Sequence, residues 1–197
     1  MVFIDYQNAH LGALEAFYPR GTPRSYGHID PLQLGGLLVA KRIANGLPSV
    51  LTSARVYRGR PETTRDPKSA MANDRQAGAR SRLRGVTTIR RPLRYPRGWP
   101  GTPAQEKGID VALAVDLVRL AVTEQYDAAI VVSSDTDLLP ALEAVVDLTP
   151  AHVEVAAWRR RPRLSFTDAR KLWCHWVDEA EYRAIEDLTN YTKTPGR

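Results

Sequence analysis

Four aspartates stand where this chain could do chemistry. Asp135 and Asp137 lie in residues 127–139, DAAIVVSSDTDLL. Residues 128–132 are an apolar run of strand length, five polar residues follow from Ser133 to Asp137, and a helical pattern starts at Leu138. A buried parallel strand therefore delivers two carboxylates, two apart, into a strand-to-helix turn. In open α/β sheets ligands bind at that edge. Val2-Phe3-Ile4-Asp5 repeats the arrangement, and Asp110 opens a helix that reads on to Val122. A helix N-cap would explain any one of these acids, but a cap needs one oxygen and residues 133–137 offer five polar side chains. Four carboxylates gathered without clear cationic partners repel one another, and a divalent cation relieves that cost. An oxygen-only donor set favours Mg²⁺ or Mn²⁺ over zinc. Such a cation polarises a phosphoryl oxygen, and one of the carboxylates can help deprotonate an attacking water. Metal-dependent phosphodiester hydrolysis is the expected chemistry.

The elements that must position these acids alternate. Strands are expected at 2–5, 50–57, 86–89, 128–132 and 153–158. Helices are expected at 9–17, 30–45, 66–84, 105–122, 138–148 and 178–188, with Asp30-Pro31 marking an N-cap and N1. This order predicts an α/β fold, a doubly wound parallel sheet of about five strands with helices on both faces. One domain over 1–197 is expected, with a basic insertion around 55–102, a C-terminal helical extension around 164–197 and a frayed tail over 189–197. The helix ending at Val122 is apolar nearly all round, which predicts burial on most sides. Asp116, about 120° round that helix from Asp110, is expected to pair with Arg119 rather than share the site.

Charge is unevenly spread over the 197 residues, whose formal net charge is +6. Between Arg55 and Arg97 thirteen Lys and Arg face three acids, while the rest of the chain is net acidic. A basic segment beside an acidic body points to nucleic acid. Arg90, Arg91, Arg94 and Arg97, with Arg159, Arg160 and Arg161, are the candidate phosphate contacts. Tyr95 and Trp99 among them suit stacking on single-stranded bases or pinning of the loop, with even weight. The single cysteine, Cys174, excludes an internal disulfide and a Cys-based zinc cluster; a cytoplasmic setting is expected. No signal peptide precedes the first strand, no apolar run is long enough to span a bilayer, and no membrane partner is expected. Oligomeric state is left open.

Three ordered stretches resemble the motifs of the NYN-domain family within the PIN-like nuclease superfamily: Phe3–Asn8 (FIDYQN), Glu106–Val111 (EKGIDV) with Asp116, and Val132–Leu138 (VSSDTDL). The resemblance spans about residues 2–158. It implies a PIN-like sheet, a Mg²⁺ or Mn²⁺ site and ribonuclease activity, with RNA preferred over DNA. By motif position, Asp5, Asp110, Asp135 and Asp137 are its metal-site acids. Asn8 lines the site, Lys107 touches a phosphate, and Ser133 stands with them on the substrate side. Ser133-Ser134 departs from the Ser-Gly often found before the first acid of the third motif, and Leu138 replaces a common Phe. The competing reading is a non-catalytic RNA- or DNA-binding regulator that keeps the fold. An aspartyl phosphatase is disfavoured by Gln7, where a second Asp is usual, and no phosphate-binding P-loop occurs.

Overall fold

A computed structural model describes residues 1–193. The chain runs β1 (Val2–Asp5), α1 (Tyr6–Phe17), α2 (Pro31–Ala44), β2 (Ala54–Arg60), α3 (Pro67–Arg80), β3 (Val86–Pro92) and α4 (Ile109–Val122). It continues through β4 (Ala128–Val132), a 3₁₀ turn (Thr136–Leu138), α5 (Leu139–Leu148), β5 (His152–Trp158), β6 (Trp173–Val177) and α6 (Glu179–Ile185). The six strands form one sheet in the order β3-β2-β1-β4-β5-β6, and every pairing is parallel.

Strand alternation splits the core in two. Val2, Ile4, Val56, Ile130, Val132 and Trp158 face a cluster with residues of α1, α2 and α6. Phe3, Tyr57, Val131 and Val155 point to the other face, against Leu113 and Leu117 of α4 and Leu142 and Val145 of α5. Residues buried on both faces produce the continuous apolar runs seen in β1 and β4. Asp30 caps α2 by accepting from the N–H of Leu32 (2.8 Å) and Gln33 (3.1 Å), with Pro31 following as the Asp-Pro pair implied.

The sheet has a sixth strand that the sequence reading passed over. Residues 173–177 carry Trp, Cys and His rather than a β-branched run, and β6 is held by its neighbour: Glu154 is paired in register with Trp173. The buried Glu154 carboxylate also meets His175 Nε2 at 2.6 Å and Arg42 at 2.9 Å, tying β5, β6 and α2 together. The C-terminal segment thus contributes a strand as well as α6. Likewise, residues 55–102 supply β2, α3 and β3. The tail is not simply frayed: Arg75 donates to the Tyr191 carbonyl at 3.0 Å, and residues 194–197 lie outside the described residues. α4 is buried on less of its circumference than its composition implies, since Val111, Val115 and Val122 are exposed. Its buried stripe is Ile109, Leu113, Leu117 and Ala121.

Burial pushes the Glu154 carboxyl up, but the His175 hydrogen bond and the Arg42 charge outweigh it, and its pKa is lowered on balance. Glu154→Ala leaves Arg42 and His175 without their partner in the core. It should cost about 3–5 kcal/mol of unfolding free energy, measured by urea denaturation at pH 7. A loss under ~1 kcal/mol would show that this cluster does not hold the β5–β6 edge.

Candidate metal and nucleic-acid site

The strand order reverses direction between β1 and β4, and that is where an open α/β sheet leaves a crevice at its carboxyl edge. The register pairs Phe3 with Val131 and Ile4 with Val132, so Asp5 and Ser133 leave the sheet side by side. The Ser133 hydroxyl donates to Asp5 Oδ2 at 3.0 Å and accepts from the Asp135 N–H at 3.1 Å. Asp5 Oδ1 accepts from the Asn8 N–H at 3.2 Å, capping α1. Asn8 Oδ1 in turn accepts from the Ser134 N–H (3.0 Å) and hydroxyl (3.1 Å). Ser133 thus orients Asp5, and Asn8 on α1 fixes the Ser134 turn that leads into Asp135.

These groups open into a cavity of about 410 Å³, whose lining includes Asp5, Asn8, Glu106, Asp110, Ser134 and Asp135. Asp110 arrives on the first turn of α4. Gly108 precedes that helix at a φ of +73°, a backbone conformation that suits glycine. Glu106 is a further carboxylate in the lining, beyond the four acids expected from the motifs. Its Oε1 accepts from the Gly59 N–H at 2.6 Å, and Gln7, with its amide nitrogen turned inward, donates to both Glu106 oxygens at 3.0 and 3.1 Å. A Cβ on Gly59 would run into Leu93 and come within 2.9 Å of the Glu106 side chain. A glycine at the end of β2 is the one sequence signal for that close approach.

The carboxylates strain against one another. Burial raises the Asp5 pKa to about 6, and the Asp135 and Asp110 charges push the same way against hydrogen bonds from Asn8 and Ser133. Burial also raises Glu106, with Asp5 and Asp110 adding to it. The one cation in the lining, Arg161, is already paired with Glu15 at 2.7 Å. All the acidic donors are oxygens, which is the chemistry of a hard divalent cation. Among the described residues no three His, Cys, Asp or Glu side chains are drawn into a finished metal cage. The donor types fit such an ion, and closure around it requires side-chain adjustment.

The remaining expected site residues scatter. Asp137 is exposed and outside the cavity lining; its N–H donates to Asp135 Oδ1 at 3.0 Å. Ser133 is buried, with its hydroxyl engaged between Asp5 and Asp135, so it positions the acids. Lys107 is exposed beside Glu106. Asp116 pairs with Arg119 at 2.9 Å as expected, and it also accepts from Arg55 and from the Tyr57 hydroxyl (2.9 Å).

Several arginines of the basic segment serve the fold. Arg90 binds Asp74 and Asn73, and Arg60 binds Asp74. Arg91 lies against Gly108, and Arg159 lies 5.9 Å from the Trp176 ring centre. Arg91, Arg94, Arg97, Arg159 and Arg160 are all exposed. The Tyr95 and Trp99 rings meet edge to face at 4.9 Å, and the Tyr95 hydroxyl accepts from the Glu62 N–H at 2.9 Å. The structure therefore favours loop pinning for this pair over a free stacking platform.

Fold and crevice together define a PIN-like α/β protein. The NYN-domain sequence profile matches residues 1–170, and the chain belongs to the NYN-domain family, whose members are generally nucleases. A crystal structure of a protein of unknown function from Vibrio parahaemolyticus shares the fold, with a TM-score of 0.59 at 19% identity over 94% of this chain and 93% of that one. No curated protein sequence matches. Among the described residues no helix is long and apolar enough to cross a membrane.

Because the folded Asp5 pKa, about 6, lies above its ordinary 3.8, the folded chain holds that proton more tightly than the unfolded chain does. The resulting stability is present below about pH 4 and lost as the pH rises through about 6. In metal-free buffer, the stability difference between Asp5→Asn and the native chain should therefore move by about 2 kcal/mol in the variant's favour from pH 4 to pH 8. Urea titrations with EDTA at the two pH values test this, and an unchanged difference would mean that Asp5 titrates normally.

Proposed function

We propose that the protein is a Mg²⁺- or Mn²⁺-dependent phosphodiesterase that cuts RNA in preference to DNA, acting in the cytoplasm. The observation that carries this reading is the half-buried Asp5, which shares a cavity with Asp110 and Asp135 while the one cation among the described lining residues, Arg161, is already paired with Glu15. Those three acids would hold the ion directly, and Asp137 at the rim would act through water. When bound, the cation would supply Lewis-acid charge to the phosphoryl group.

The chain's own groups divide the rest of the work. Glu106, whose pKa is raised by burial and by its acidic neighbours, is suited to taking the proton of the attacking water. Gln7 and the Gly59 N–H keep its carboxylate in place. Asn8 holds residues 134–135 at the mouth through Ser134. The exposed Lys107, Arg94, Arg97 and Arg160 supply charge for the phosphate backbone. RNA preference rests on the family resemblance, and the single half-buried cysteine accords with a reducing compartment.

The deciding experiment is cleavage of labelled single-stranded RNA and matched DNA with Mn²⁺, Mg²⁺ or EDTA. Asp135→Asn keeps a side chain able to cap the following turn, so it should fold normally. It should lose at least ~100-fold in kcat/KM, and EDTA should abolish cutting by the native chain. Retained turnover in that variant would remove Asp135 from the site. Salt-sensitive binding with no cutting under any metal would leave the non-catalytic regulator standing.

A further inference from the structure

Beyond the acidic cavity lies a second one of about 530 Å³, toward β2 and β3, and the two share Gln7, Leu11 and Glu106 in their linings. Its charge is reversed. Among the described residues, Arg24, Arg58 and Lys68 line it against a single carboxylate, the shared Glu106. Its two histidines, His10 and His28, are kept neutral because burial lowers both, His28 to about 3. The Tyr6 hydroxyl meets His28 Nδ1 at 3.0 Å and accepts from Gln76 Nε2 at 3.0 Å.

Arg58 is the unusual member. Its guanidinium carbon lies 4.7 Å from the Tyr6 ring centre, and that of Arg80 lies 4.0 Å from the same ring. Arg58 donates to the Gln76 amide oxygen, but its Nε is buried without a hydrogen-bond partner. Among the described residues Arg58, Arg24 and Lys68 form no ion pair. Burial lowers the Arg58 pKa to about 10. A guanidinium held this way is costly unless an anion meets it. Lys68 and Ser69, in the first turn of α3, line the same cavity, and the Ser69 N–H is taken by the Asp66 side chain that caps the helix, at 3.1 Å. The volume suits a ligand of nucleotide size.

We propose that this basic cavity is a nucleotide-binding subsite. It takes one nucleotide of the substrate strand beside the bond to be cut, with the phosphate on Arg24, Arg58 and Lys68. Its placement next to the cut bond rests on the phosphodiesterase reading. Nucleotide binding itself needs neither metal nor turnover.

The test is calorimetry on the full chain in EDTA at low salt, with a nucleoside 5′-monophosphate, the plain nucleoside and inorganic phosphate as probes. The monophosphate should bind more tightly than either fragment. Lys68→Glu and Arg24→Glu, both at exposed positions, should each weaken it by about tenfold or more. Arg84→Glu makes the same charge change at an exposed position before β3, on the opposite edge of the sheet, and should leave binding within about twofold. Equal losses in all three variants would reduce the effect to bulk charge and overturn the subsite. So would phosphate binding as tightly as the nucleotide, or no binding at millimolar nucleotide. RNA cleavage assays on the same variants separate the two readings. Nucleotide binding without metal-dependent cutting would sink the phosphodiesterase and keep the cavity. Cutting without nucleotide binding would do the reverse.

Discussion

The parallel pairing of β1 with β4 is the constraint on which the rest of the site depends. The two strands are separated by more than a hundred residues, and one register sets Ile4 beside Val132. It follows that Asp5 and Ser133 emerge as neighbours and that one hydroxyl can bridge both strand ends. A parallel pair needs a crossover, and here the chain first builds β2 and β3 on one side and then returns through α4. That return brings Asp110 to the same opening on the first turn of α4. The crevice is a product of connectivity, and the acids occupy it because each stands at a strand end or a helix start.

Placing carboxylates there works against stability. The raised pKa of Asp5 records the conflict between burial, neighbouring charges and the hydrogen bonds that oppose them. Two other acids are matched: Glu154 has Arg42 and His175, and Asp116 has Arg55, Arg119 and the Tyr57 hydroxyl. The contrast separates acids paired with cations from acids that crowd one another at the crevice. Arginines divide the same way. Arg55 pairs with Asp116, and Arg60 and Arg90 share Asp74, whereas Arg58 lines a cavity whose one carboxylate among the described residues, Glu106, is shared with the acidic crevice. Local net charge therefore overstated the free basic surface.

The two cavities meet at Glu106 and Gln7 with opposite charge. A polyanion bound to a cation needs both signs close together: acids to hold the metal, and bases to hold the phosphates beyond it. Glu106 sits at the boundary, fixed by the Gly59 N–H and the Gln7 amide, and belongs to both linings.

Much of this was legible in one dimension. Apolar runs ending in Asp5 and in Ser133–Asp137, the Asp30-Pro31 cap and the alternation of strand and helix follow from local preference and periodicity, which act over a few residues. They were enough to predict a doubly wound parallel sheet and, with three ordered motifs, the family. β6 was not legible, because residues 173–177 become a strand through pairing with β5 and the buried Glu154–His175 contact. Neither was the exclusion of Asp137 from the cavity, which the 3₁₀ turn decides by leaving that side chain exposed while its N–H donates to the Asp135 carboxylate that caps the turn. Glu106 entered the site only because Gly59, nearly fifty residues away, leaves room for its carboxylate. Sequence alone determined which residue types stand at strand ends and helix starts, since those are local properties. Which of them share a cavity was decided by strand register and crossover packing, since these join residues that local physics cannot connect.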